Sequence, residues 1–233
     1  MSDTQTAYEL RLLFEEPGCP VCALGQRVSS RYVDSLFYES INDPAARARL
    51  RASLGLCYEH AWLLIEARLS DALGQAILYR DLAKTLLERL PEEGEPLDER
   101  ALRSLGEALT PEAVCPACES RAQAEQRALQ ALARSLERRD YLAEFEKSEG
   151  LCLPHLRALL QEGGLGRKAL AAVLRHQRRR LTNLEGELAE FIRKNDYRFQ
   201  GEGMGAERDA YQRAAAFLTG RRRPMSRKEL GLR

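Results

Sequence analysis

The 233-residue sequence lacks any apolar run that approaches a membrane span: its most apolar pieces, such as Ala169–Leu174, run straight into Arg or Glu. A spanning helix needs about 20 consecutive apolar residues, so we expect a soluble chain with no membrane partner. The opening Met1-Ser2-Asp3-Thr4-Gln5-Thr6 has neither a basic n-region nor an apolar h-region, which argues against a secretory signal and for a cytoplasmic location. An excess of one charge is also missing. Thirty-six Lys and Arg face 35 Asp and Glu for a net +1, so no global field points to nucleic acid or a membrane surface. Lysine is scarce, 5 of those 36, which we read as codon bias. Gly and Pro together number 25, too few for a fibrous or low-complexity chain. Histidine is limited to three residues, and no Ser/His/Asp set, phosphate-binding glycine signature or HExxH occurs. The sequence therefore offers no catalytic constellation, and the expected role is non-enzymatic. What is present, 44% hydrophobic and 30% charged residues, suffices for one large helical domain or two small ones with a real core.

The layout comes from an internal repeat. Cys19-Pro20-Val21-Cys22 recurs as Cys115-Pro116-Ala117-Cys118, a shift of 96, and Gly55-Leu56-Cys57-Tyr58-Glu59-His60 recurs as Gly150-Leu151-Cys152-Leu153-Pro154-His155, a shift of 95. Two separate motifs with a near-constant offset mark a tandem duplication.

Both copies read as helix almost throughout, rich in Ala, Leu, Arg, Glu and Gln and without β-branched runs. One helix is expected from Cys22 to about Ser40, and its counterpart from Cys118 to about Arg138. Asn42-Asp43-Pro44 supplies a cap and an N1 proline for a short helix ending before Gly55. Each CxxH opens another helix, followed by a longer one, Gly74–Leu90 in the first copy and Gly166 to about Asn195 in the second. The fold expected is all-α, two tandem helical repeats with a C-terminal helix and a basic tail. Residues 1–90 form the first repeat, 91–110 a linker with a short helix, 111–195 the second repeat, and 196–233 a Gly-rich loop, a terminal helix and the tail.

All six cysteines and two of the three histidines fall inside the repeated motifs. In a reducing compartment such cysteines point to metal rather than disulfides. CxxC sets two thiolates on one turn and CxxH adds a thiolate and an imidazole, a donor set suited to tetrahedral Zn²⁺. Each CxxC also opens a helix, whose free amides and dipole favour thiolate over thiol. Loop closure favours ligation inside each copy: Cys19, Cys22, Cys57 and His60 for one ion, and Cys115, Cys118, Cys152 and His155 for the other. Two Zn²⁺ ions are the expected cofactors. Two [4Fe–4S] clusters, with an electron-carrier or redox-sensor role, are the alternative, because Cys-Pro dipeptides also occur in ferredoxin-type motifs. A thioredoxin-like dithiol is disfavoured because the βαβ context is missing.

The pattern CPVC…GLCYEH followed by CPAC…GLCLPH resembles an uncharacterised bacterial family of duplicated CPxC/GLCxxH helical proteins over about Cys19–Asn195. The resemblance implies metal binding at these eight positions and no assigned activity. Four protein ligands close a site, so the working function is an interaction or regulatory protein held by metal, with an unidentified protein partner. Weaker features remain. Arg221, Arg222 and Arg223, with the Arg178–Arg180 run, suit phosphate contacts and a nucleic-acid-associated role, although a solvated basic face is the stronger explanation. His176, beside Arg175, is expected to be solvated; Trp62 is expected to cover the centre next to His60, leaving the other centre wetter; and Gly201–Gly205 reads as a loop.

Overall fold

Capping residues set where the helices begin and end. In the computed structural model, which describes residues 3–66, 71–92, 98–199 and 201–220, the chain opens with α1 (Asp3–Leu12), unanticipated by its polar sequence, and a single 3₁₀ turn. There follow α2 (Pro20–Glu39), α3 (Pro44–Ala52), α4 (Tyr58–Glu66), α5 (Ala72–Leu87), α6 (Glu99–Ala108) and α7 (Pro116–Ser135). The last four are α8 (Arg139–Phe145), α9 (Leu153–Glu162), α10 (Arg167–Lys194) and α11 (Ala210–Thr219). No strand occurs among the described residues, and none of their helices is long and apolar enough to cross a membrane. The start of α3 follows the cap read in the sequence: the Asp43 carboxylate accepts from Ala45 N–H and Ala46 N–H at 2.7 and 2.9 Å, and Pro44 needs no partner there.

The chain divides into two compact units, one made of the described residues up to Gly25 with those from Ala124 onward, the other of Gln26–Gln123. The expected division followed the repeat boundary; these units instead each draw on both copies, because α2 and α7 run through the points of division. In the first unit Leu10, Leu132, Leu136, Phe145 and Leu159 are fully buried, and Phe14 packs edge-on against Tyr141 and Phe145 at 5.3 and 5.6 Å. Tyr141 Oη donates to Ala7 O, which ties α1 onto this core. In the second, Val33, Leu36 and Phe37 of α2 pack with Leu50, Leu64, Leu78 and Leu82. Each such side chain contributes roughly 1.5–3 kcal/mol on burial.

His176 corrects an expectation. It is only 1% exposed, on the core face of α10 with its ring 5.4 Å from Phe145. Arg179 donates to its Nδ1 at 3.1 Å, and burial followed by Arg179 and Arg180 lowers its pKa, so it stays neutral. The sequence hides this because Arg175 and Arg178 flank it on the solvent side. Gly201–Gly205 is tied down rather than open: Gly205 N–H donates to Glu207 Oε1, and Lys194 Nζ donates to Gly203 O and Glu207 Oε1. Arg221–Arg223 lie outside the described residues.

Candidate metal centres

The GLC turns explain how the thiols are presented. Gly150 adopts φ +76°, and a Cβ there would overlap the Gln177 amide oxygen. The space is used: Leu151 N–H donates to Gln177 Oε1 at 3.0 Å, and Gln177 Nε2 donates back to Leu151 O at 2.7 Å. Both backbone groups before Cys152 are thereby satisfied and the turn is locked onto α10. A serine two residues before the glycine reinforces each turn. Ser53 Oγ donates to Gly55 O at 2.8 Å, and Ser148 Oγ donates to Phe145 O while accepting from Gly150 N–H. Ser53 and Ser148 stand at the same shift of 95, so the repeated motif is SxGLCxxH, a signal present in the sequence but not used.

Eight side chains converge as two quartets. One comprises Cys19, Cys22, Cys152 and His155, all buried; the other comprises Cys57, His60, Cys115 and Cys118, of which Cys57 and Cys118 are half-buried. In each, the four donor atoms lie within 4.8 Å of one another. All six cysteines are free thiols. His155 Nδ1 stands 3.5, 3.3 and 3.2 Å from the sulfurs of Cys19, Cys22 and Cys152, and Cys22 and Cys152 sulfurs are 3.6 Å apart. His60 Nδ1 stands 3.2, 3.8 and 3.4 Å from those of Cys57, Cys115 and Cys118, and the Cys57 and Cys118 sulfurs are 3.5 Å apart.

The expected pairing inside each copy is therefore overturned. Each CxxC meets the CxxH of the other copy. The reason lies in helix lengths. The 20 residues of α2 and of α7 each carry the chain about 30 Å from their CxxC, whereas the nine residues of α3 return about 13 Å and the seven of α8 less. Loop entropy does not resist this: lengthening a loop fourfold costs only about 1.2 kcal/mol, little beside a metal–thiolate centre.

The environments differ. His155 Nε2 lies 3.6 Å from Glu125 Oε2, so its Nδ1 faces the sulfurs while the far nitrogen is held by a carboxylate. Gly25 admits this contact, because a Cβ on α2 at that point would stand 2.5 Å from Glu125 Oε1. At the shift of 96 the position of Glu125 is occupied by Ser29, whose hydroxyl donates to Gln26 O. The backbone of Gly220 closes over the same buried quartet: its φ is +83°, and a Cβ would stand 3.4 Å from Cys22 Sγ and 3.8 Å from Cys152 Sγ. Trp62, by contrast, is 48% exposed and tilts against Tyr58, and Cys57 and Cys118 in the same unit are only half-buried. The wetter centre is thus the one beside Trp62, the reverse of expectation.

Electrostatics favour a bound cation. Hydrogen bonding to Cys152 and Cys19 holds the Cys22 thiol far below its ordinary range, with burial opposing. Burial, and then hydrogen bonding with Cys152 and Cys22, raise Cys19. Burial works against charge on His155, but Cys152, Cys22 and Glu125 outweigh it and push its pKa up to about 11. At the other quartet burial opposes ionisation of Cys115, yet the hydrogen bond with His60 brings its pKa down to about 6, while burial and Cys57 raise Cys118. Crowded thiols that disagree over their protons in this way are relieved by one divalent ion. The donor types and spacing fit one: a tetrahedral ion with sulfur at about 2.3 Å and nitrogen at about 2.0–2.1 Å sets its ligand atoms roughly 3.5–3.8 Å apart. Both quartets are candidate metal-binding sites.

Comparison with known proteins places the chain in a family and adds no activity. A curated relative, an uncharacterized 23.9 kDa protein in the xynA 3' region of Caldicellulosiruptor sp. (strain Rt8B.4), is 39% identical over 72 residues, 31% of this chain and 34% of that protein. The match thus spans about a third of the relative's length. No solved structure matches. The family of unknown function DUF6062 matches residues 11–224, nearly the whole sequence, and the chain belongs to that family.

Proposed function

We propose that the protein is a non-enzymatic interaction or regulatory module, acting in a reducing compartment, whose two units are each fastened by one structural zinc ion. The carrying observation is that each quartet supplies four protein donors within 4.8 Å, which fills a tetrahedral ion and leaves no coordination position for water or substrate. The same spacing favours a single ion over a [4Fe–4S] cluster. A cubane places each cysteine on a different iron and holds the sulfurs well apart, whereas here sulfurs sit 3.5–3.6 Å from one another. A partner-binding role draws support from α4, where Tyr58, Trp62 and Ile65 are all exposed at helical i, i+4, i+7 spacing. Elemental analysis of the natively purified chain tests the metal: two zinc ions per chain are expected, and a brown protein with iron and acid-labile sulfide would replace zinc by clusters. Pull-down with wild type and with Trp62→Ala tests the partner, whose capture is expected to weaken in the variant.

A further inference from the structure

A cavity of about 940 Å³ opens in the unit that contains Cys19, Cys22, Cys152 and His155. It lies at the upper end of the range for small-molecule sites, about 300–1,000 Å³. One end is formed by Cys19 and Cys152, so two of the four candidate metal ligands face it; Leu151, Leu184, Ala216 and Phe217 give it an apolar lining. The charges around it fix what it can hold. Arg180 is engaged by Glu149 at 3.7 Å, and Arg213 by Asp209 at 2.8 Å and by Glu187. Two guanidiniums, both committed, thus face three carboxylates. Three thiolates around a divalent ion add one further formal negative charge at the sulfur end. An anion entering here meets like charge and, among the described lining residues, no free cation. A cation meets a favourable field, the ring of Tyr211 for a cation–π contact, and apolar walls for its body.

We propose that this cavity binds a hydrophobic organic cation, an amine or quaternary ammonium on an apolar body, with its charged head toward the carboxylates and the sulfur end. The proposal rests on the metal reading only for the added charge at the thiolates. It is tested on the full chain purified with its metal, with metal per chain measured on the same sample. The probes are phenylbutylammonium, the neutral phenylbutanol and the anionic phenylbutyrate, followed by isothermal titration and by amide shifts in NMR. Phenylbutylammonium is expected to bind at least about tenfold more tightly than phenylbutyrate, with the alcohol between them, and to shift the amides of Thr219 and Gly220. Ala216→Trp, which fills the cavity, is expected to weaken it about tenfold or more at unchanged metal content and helicity. Glu187→Gln is expected to narrow the preference for the ammonium over the alcohol. Equal or tighter binding of phenylbutyrate, failure of all three probes on a chain carrying its metal, or shifts confined to other residues would overturn the proposal. Should the Trp variant not fold, the wild-type ranking and shift map decide alone. A chain that purifies without metal yet keeps the ammonium preference overturns the metal reading and sustains this one.

Discussion

At the buried candidate centre, single residues set how firmly an ion would be held. Glu125 orients His155, and Gly25 makes room for it. Glu125→Gln or Gly25→Ala is expected to weaken metal retention at that centre about 10–100-fold, because an outer carboxylate fixes the imidazole ring and its basicity. Competition with a chromophoric chelator measures this, and the Cys57 centre serves as the unchanged control in each variant. Gln177 carries a different load. Its replacement by Ala strips partners from buried backbone groups of Leu151 and is expected to cost about 1–3 kcal/mol for each group left unpaired, visible as a lower melting midpoint. The eight candidate ligands were legible in the sequence because repetition of CxxC and CxxH is a local pattern. Glu125 and Gln177 were not, because each meets its partner only after α7 and α10 are laid against the turn at Cys152, and nothing near them in sequence announces that contact.

At the level of helices, the decisive quantity is the mismatch between the long α2 and α7 and the short helices that follow them. It makes the pairing testable without coordinates. Cys22→Ala with Cys152→Ala is expected to abolish one centre and leave one metal ion per chain, whereas Cys22→Ala with Cys57→Ala strikes both centres and leaves none. Ligation within each copy reverses the two results, so metal per chain by mass spectrometry under native conditions is decisive. Helix existence was readable from composition and from Asp43-Pro44 and Gly55, but pairing was not, because a short return helix with its connections reads in the sequence as long enough to bring each CxxH back to its own CxxC. The junction of α10 with α11 gives a pH-dependent test. Lys194, and then the Gly205 amide, hold the Glu207 carboxyl down to about 2 from its ordinary 4.5. A depressed carboxyl stabilises the fold fully above about pH 4.5 and loses that contribution as the pH falls toward 2. Glu207→Gln is therefore expected to lower the melting midpoint at pH 7, with the gap to wild type narrowing through that acid window.

For the molecule as a whole, the zinc reading proposed above makes metal the largest single contribution to stability. A structural zinc centre supplies an apparent 10–16 kcal/mol or so, comparable to the roughly 5–15 kcal/mol by which whole domains are stable. Strong chelation is expected to unfold the chain, and unchanged far-UV circular dichroism and melting after verified metal removal would falsify the structural role. Loss is expected in order. Cys57 and Cys118 are half-buried while every ligand of the other quartet is buried, so a chelator draws the first ion from the Cys57 centre, and alkylation with mass mapping finds Cys57 and Cys118 modified before Cys19 and Cys22. The crossing of the two quartets also has a bearing on biosynthesis. Residues 57–118 form an inner bracket lying wholly inside the outer bracket of residues 19–155. A chain emerging from the ribosome completes the inner set as soon as Cys118 appears, while Cys19 and Cys22 wait for Cys152 and His155. Under the proposed zinc reading, translation order would therefore fill the half-buried inner set first and the buried outer set last.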